Sequence, residues 1–411
     1  MKIIQSFWSG KKDCKKDSYS WLSAEFHLLS WTLSCLQLRN FYNDVTLFTD
    51  NEGYEILIKQ LQLPYTNVVV NLDKLNHYPP SLWALAKIKA YSMMDETFIH
   101  IDGDVFIWGR IDRKLESHDI LVQNFEVSSD YYKSMWYNIR PHLNYIPNSI
   151  EPYDKQINLK ACNMGIFGCT DINFLNKYCS EVFKFVNHNW QNLDSIKLYN
   201  FNIFFEQVLL NSLAIQQNKR IAKYIEKSIG DNEYEGFADF EEVPEKEYLH
   251  LIGCYKKHFI SCNKMRNYVL ENYPQYYYKI ENLLWTDNYR EKPSESLLFC
   301  KEVYTLNSLR KLKSNLAKDE NFIIEPISCY SVRKNYIMIE FSNGYIHRIE
   351  KLSIDRIIFK IINRRIDRKS IEFEAMKYVE KDTSQWLKDK YISIMWERVK
   401  YLVACGLFLI S

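Results

Sequence analysis

The chain has 411 residues, 47% apolar and 25% charged, with a net charge of +2. That length calls for two domains rather than one average core, and the composition is that of a soluble globular protein. Near-neutral charge without a basic aromatic stripe argues against nucleic acid as a partner.

Aromatic residues reach 15%, with 30 Tyr and 23 Phe. They would serve a core, an interface or a carbohydrate surface equally well. The ten cysteines contain no CxxC pair, so neither a zinc cluster nor a disulfide framework is expected. Met1-Lys2-Ile3-Ile4 leads straight into a strand-like segment rather than a signal peptide, and a reduced, cytoplasmic setting is expected. The apolar run Tyr401 to Ile410 is too short to cross a bilayer. It reads as the end of a buried last helix, with peripheral membrane contact as the alternative.

Lys2 to Trp8 reads as a first buried strand, followed by a lysine-rich loop. Trp21, Leu22, Phe26, Leu29, Leu33 and Leu36 recur at helical spacing and predict a helix to Arg39. Strands follow at Asp44–Phe48 and Asn67–Val70, with a helix between them over Tyr54–Leu61. A helix over 81–94 feeds a strand at Phe98–Ile101. Strands are expected at Asp119–Phe125 and Asn163–Gly168, and helices over 171–190 and 199–215. Residues 126–160, with Pro141, Pro147 and Pro152, read as irregular, and 226–248 as an acidic loop.

Short strand–helix alternation predicts an α/β domain, a mostly parallel sheet covered by helices on both faces, over residues 1–290. In such sheets ligands bind beyond the carboxyl ends of the strands. Arg290–Ser296 is the best linker. Residues 297–411 then form an α+β appendage. It opens on a hairpin, Tyr336–Phe341 and Tyr345–Ile349 around Ser342-Asn343-Gly344. Its role is left open between acceptor binding and oligomerisation.

The most informative stretch is Phe98-Ile99-His100-Ile101-Asp102-Gly103-Asp104. A buried strand stops at two carboxylates one glycine apart. In an extended chain residues i and i+2 share a face, so both acids can point at one spot. Gly103 would let the chain turn and a bulky ligand approach. Two hard oxygen ligands suit Mn2+ or Mg2+, and through such a cation a diphosphate. A polar turn after a core strand is the plain alternative.

Asp102-Gly103-Asp104, Asn163-Met164-Gly165, Glu206-Gln207 and His250-Leu251-Ile252-Gly253-Cys254-Tyr255-Lys256 occur in that order. The order resembles nucleotide-sugar glycosyltransferases of the GT-A fold, most closely the glycogenin-like and galactosyltransferase-like family 8. That family carries a DxD motif, an Asn-x-Gly segment, an acidic-Gln pair and a late HxxGxxK. The resemblance covers roughly residues 1–265. It implies transfer of a sugar from a nucleoside diphosphate, with UDP as the expected nucleotide, to a hydroxyl on an acceptor glycan, peptide or protein. The aromatic-rich 126–160 region would build the acceptor site.

It further implies a divalent cation on Asp102, Asp104 and His250, acting as a Lewis acid on the leaving diphosphate. Lys256 would reach a phosphate oxygen and Gly253 would clear space for it. Lys87 would contact the donor, and Phe7 and Asp50 would hold the nucleobase. Asn163, Glu206 and Gln207 fall to the reacting centre. Gln207 beneath the reacting carbon suits retention of anomeric configuration, whereas Glu206 as a base on the acceptor would give inversion. Lys87, Phe7, Asp50 and His250 each have an ordinary structural reading as well.

Two departures stand out. Lys256 is followed by Lys257 and His258 rather than proline, and the acidic-Gln pair is Glu-Gln with no second acid after it. The aspartate-nucleophile phosphatases also begin with a strand and DxD, but they need Thr or Val two positions past the second Asp, where this chain has Phe106. An inactive nucleotide-sugar-binding protein of the same fold is the other alternative.

Overall fold

A computed structural model describes residues 1–284 apart from 116, 128, 152–159, 231–232, 235–236 and 258. Beyond 284 it describes 308, 311–312, 314–326, 330–334, 336–340, 346–404 and 407–411. The expected linker at 290–296 and the Ser342-Asn343-Gly344 turn lie outside these. The chain forms two compact units, one of Met1–Lys257 with Tyr268–Leu283, the other of His258–Asn267 with Leu284–Ser411.

In the first unit the elements run β1 (Lys2–Phe7), α1 (Ala24–Phe41), β2 (Val45–Thr49), β3 (Asn67–Val70), α2 (Leu85–Tyr91), β4 (Phe98–Ile101) and β5 (Val105–Ile107). Then come β6 (Ile120–Val127), α3 (Ser129–Ile139), β7 (Lys160–Cys169), α4 (Ile172–His188), a helical run from Leu198 to Gln216, β8 (Ile221–Lys223) and β9 (Tyr248–His250). Seven strands make one sheet in the order β3-β2-β1-β4-β7-β6-β8. Every neighbouring pair is parallel except those of β7, which runs against both β4 and β6.

Alternate strand residues feed two cores, as the two-residue period requires. Ile4, Phe48, Phe98 and Phe167 pack with Tyr91, Tyr178, Phe185 and Phe204 on one face. Ile3, Val45, Ile99, Ile101 and Ile166 pack with Leu38, Tyr42 and Val105 on the other. A sheet buried on both faces favours largely apolar strands, which the central β2 and β4 are, whereas the edge strand β3 is only partly buried. The fold class is therefore the expected α/β architecture, a mostly parallel sheet covered by helices.

Several boundaries differ from expectation. The helix predicted over 81–94 is only Leu85–Tyr91. Residues read as irregular contain α3, because Tyr132, Met135, Trp136 and Ile139 recur at helical spacing and are buried. The run Tyr401 to Ile410 is not one helix. The helix Gln385–Ala404 ends inside it, and Phe408–Ile410 is a strand on Ile323–Pro326.

The second unit is α+β. Ile323–Pro326 lies between Ile366–Asp367 and Phe408–Ile410, antiparallel to both. Tyr336–Glu340 pairs antiparallel with Tyr330–Val332 and with Ile346–Glu350, so the two hairpin strands form. Asp355, fully buried, is held there by Arg398 at 2.7 Å.

Candidate cation and phosphate site

The two motif aspartates lie in a tight turn between β4 and β5, not on an extended strand. Val105 N–H donates to the Asp102 carbonyl at 3.1 Å and closes the turn. Gly103 is required for a reason other than the one expected. A Cβ there would stand 2.5–2.8 Å from the indole of Trp31 on α1, so the close neighbour is the protein's own ring. Ser30, next to it, donates from its hydroxyl to the Gly103 carbonyl at 2.6 Å.

His250 reaches this turn through strand pairing. β9 runs antiparallel to β5 with His250 opposite Val105, and Leu251 N–H donates to the Asp104 carbonyl at 3.0 Å. Ligand atoms of Asp102, Asp104 and His250 all fall within 4.8 Å of one another. His250 Nε2 is 3.5 Å from Asp104 Oδ1, and Nδ1 lies 2.7 Å from Gln123 Oε1 on β6. A carboxamide oxygen accepts from Nδ1–H, which orients the ring with Nε2 toward the carboxylates. Tyr248 steadies the same Gln123 oxygen with its hydroxyl.

β7 makes room for that imidazole. Between the pairs Val122↔Phe167 and Asn124↔Asn163 the β6–β7 register slips, and Gly165 lies in the slip. A Cβ on Gly165 would stand 2.5 Å from Gln123 Oε1 and 2.7 Å from His250 Cε1. Sequence reading missed Gln123, although a Gln-Asn pair inside an otherwise apolar strand was the available signal.

Two ammonium groups flank the acids. Lys256 Nζ is 2.6 Å from Asp104 Oδ2. Lys87, on α2, bridges Asp102 Oδ2 and Glu206 Oε1 at 2.8 Å each. The two aspartates consequently separate. Burial pushes Asp104 up, but Lys256 and His250 outweigh it and hold the carboxyl well below the usual range. Burial dominates at Asp102, which rises despite Lys87. Glu206, fully buried, is pushed up to about 7 by burial against the pull of Lys87. Burial depresses Lys87, and the two carboxylates more than restore it, so it stays charged. His100, buried behind the turn with Nδ1 3.7 Å from Asp102, is driven down by burial and then by Lys87, and is neutral.

The remaining sequence candidates fall around this centre. Glu206 and Gln207 lie in a wide helical turn, Phe204–Val208, of the kind often found at functional positions. The Gln207 amide oxygen is buried and takes no hydrogen bond among the described residues. Asn163 is buried with Oδ1 on Gly165 N–H at 3.0 Å, and its Nδ2 donates to Glu126 at 2.6 Å and Tyr234 at 3.1 Å. Gly253 opens the helical turn Gly253–Lys257, with nothing within 4 Å of where a Cβ would sit.

Phe7 and Asp50 are committed inside the protein. Phe7 packs between Tyr19, His27 and Trp31 at ring distances of 5.2–5.6 Å. Asp50 caps the helical turn at Asn51 through Gly53 N–H at 2.9 Å and accepts from Ser9 N–H at 2.8 Å.

Two hard oxygens and one tautomer-fixed imidazole fit Mn2+ or Mg2+. With Lys256 alongside, the arrangement can hold a cation together with a polyanion. It defines an α/β protein with a two-aspartate, one-histidine centre at the carboxyl end of a buried strand. A family model described as "Family of unknown function (DUF6734)" matches residues 1–283, and the chain belongs to that family. No curated protein matches the sequence.

Among solved structures, the galactosyltransferase LgtC in complex with donor and acceptor sugar analogues is similar at 10% identity and a TM-score of 0.30. That match covers 54% of this chain and 73% of that one. Mouse xyloside xylosyltransferase 1, in its apo form, is similar at 11% identity and a TM-score of 0.29, over 54% of this chain and 84% of that one. The glycosyltransferase GlyE of Streptococcus pneumoniae TIGR4 is similar at 7% identity and a TM-score of 0.26, over 50% of this chain and 43% of that one. No helix among the described residues is long and apolar enough to cross a membrane.

Proposed function

We propose that this protein is a divalent-cation-dependent glycosyltransferase that moves a sugar from a nucleoside diphosphate, UDP first among candidates, to an acceptor hydroxyl. The observation that carries the reading is the meeting of Asp102, Asp104 and His250 within 4.8 Å, from positions almost 150 residues apart. A satisfied polar turn needs no imported imidazole with its far nitrogen fixed.

Asp102, Asp104 and His250 would hold Mn2+ or Mg2+. When bound, the cation supplies Lewis-acid charge to the leaving diphosphate. Lys256 exchanges its ion pair with Asp104 for a phosphate oxygen, and the open space at Gly253 admits that phosphate. Lys87 keeps Asp102 and Glu206 in place from beneath, one ammonium serving two carboxylates. Phe7 and Asp50 shape the nucleoside end as walls, since ring and carboxylate are already engaged.

Retention is the proposed outcome. Glu206 is fully buried and paired with Lys87, which suits it to positioning Lys87 rather than to taking a proton from an acceptor. Gln207, whose amide oxygen is unspent, is assigned to the developing positive charge on the sugar. Asn163 is assigned to the wall beside it, held by Glu126 and Tyr234.

The test is isothermal titration with UDP, with and without Mn2+, followed by a nucleotide-sugar hydrolysis panel. Mn2+-dependent UDP binding with turnover of at least one donor supports the transferase. Mn2+-dependent binding without turnover of any donor would favour the non-catalytic binding protein. Absence of Mn2+-dependent binding would remove the proposal.

A further inference from the structure

An open surface groove of the first unit is lined, among the described residues, by His77, Asn187, His188, Trp190 and Gln191, none of which belongs to the cation centre. It is a groove of about 570 Å³, within the range of small-molecule sites. His77 lies on the segment between β3 and α2, Asn187 and His188 close α4, and Trp190 and Gln191 follow in the next turn. None of the five takes part in the proposed transfer chemistry.

The lining has a definite chemistry. Trp190 is 43% exposed, a large apolar plane left in water. Its ring is buttressed by Tyr78, edge to face at 5.5 Å, and by His77 at 6.2 Å. The Tyr78 hydroxyl donates to Asn187 Oδ1 at 2.7 Å, which fixes that carboxamide and leaves its NH2 as the donor at the groove. His188 Nδ1 lies 2.9 Å from the Lys184 carbonyl, and its ring packs on Tyr145 at 4.9 Å. Because a carbonyl only accepts, Nδ1 carries the proton and Nε2 of the neutral ring is an acceptor. Gln191 adds an amide that both donates and accepts. Among the described residues, none of those lining the groove carries a carboxylate, ammonium or guanidinium group.

We propose that this groove is a binding site for a neutral saccharide, with the sugar ring lying on the Trp190 indole and its hydroxyls on Asn187, His188 and Gln191. A pyranose has one face of C–H groups and a rim of hydroxyls that both donate and accept. An indole plane bordered by an orientation-fixed donor and an orientation-fixed acceptor is complementary to both parts. A phosphate or carboxylate ligand would find no Lys or Arg among the described lining residues, and an aliphatic chain would leave the fixed amide and imidazole unpaired. The assignment stands whether or not the cation centre transfers sugars.

The experiment uses the full chain and saturation-transfer NMR with lactose, cellotetraose and maltotetraose, alongside UDP with Mn2+ as an independent ligand. At least one saccharide should bind in the millimolar range, and Trp190→Ala should weaken it tenfold or more. Asn187→Asp keeps the acceptor for Tyr78 and deletes the donor, and should also weaken it tenfold. UDP–Mn2+ binding should be unchanged in both variants. Failure of all three saccharides to bind, or saccharide binding that survives either substitution, would overturn the inference. Loss of UDP–Mn2+ binding in the wild-type chain would instead count against the transferase reading and leave this groove standing.

Discussion

Gly165→Ala is the sharpest probe of how the cation centre is built. The new methyl would stand 2.5 Å from Gln123 Oε1, 2.7 Å from His250 Cε1 and 2.8 Å from His250 Nδ1, all closer than real contacts allow. Neither neighbour is the loose end of a surface chain. Gln123 is fully buried and shared by Tyr248 and His250, and His250 is 4% exposed. Relief therefore has to break the Gln123–His250 hydrogen bond or swing the imidazole off the carboxylates. Overpacking of this sort costs about 1–3 kcal/mol in stability. Loss of an orienting partner behind a metal-bound histidine costs roughly 10–100-fold in metal affinity. Urea denaturation and a Mn2+ titration measure the two separately. A variant with wild-type stability and wild-type Mn2+ affinity would refute the proposed packing of His250 and with it the shared site.

Asp104→Asn and His250→Ala should each abolish Mn2+-dependent nucleotide-sugar turnover with an unchanged circular dichroism spectrum; unchanged turnover in either removes that residue from the site. Lys87→Met strands the fully buried Glu206 carboxylate and leaves the partly buried Asp102 unpaired, so it should cost about 3–5 kcal/mol in urea denaturation, and a loss below about 1 kcal/mol would show that the bridge is not formed. Glu206 has a folded-state pKa raised from 4.5 to about 7, so the fold holds its proton more tightly than the unfolded chain does. Its contribution to stability therefore falls as pH rises between those values, by about 3 kcal/mol in all. Glu206→Gln should flatten the decline in urea midpoint between about pH 4.5 and about pH 7, and an unaltered decline would contradict the assignment.

What could be read from the sequence depended on how local the cause was. Strands β1, β2 and β4 were legible because burial leaves short, mostly apolar runs, and the edge strand Asn67–Val70, though only partly buried, appears with its predicted ends. α3 was not, because its aromatic residues and the prolines after it suggested a loop until burial showed which rings share a face. The link between His250 and the aspartates was visible only through a family resemblance. Its physical cause, β9 pairing with β5, is a long-range contact that leaves no periodicity in either segment. Lys87 was legible as a nearby base, but its bridge to Glu206 depends on two helices meeting, which no spacing encodes.

The glycines of the first two motifs share one physical logic. Gly103 was read as room for a ligand and Gly165 was given no role of its own, yet each accommodates a ring of the protein itself. Gly103 admits the Trp31 indole beneath the aspartate turn, and Gly165 admits the His250 imidazole beside it. A Cβ at either place would displace that ring from its present position. The aspartates are thus clamped between α1 and β7 before any cation arrives, and such preorganisation is what a cation site needs if its acids are to converge rather than repel. Lys256 and Lys87 complete the arrangement by offsetting the charge of those acids. The same two ammoniums explain why the buried acids Asp104 and Glu206, together with the partly buried Asp102, are compatible with a folded chain.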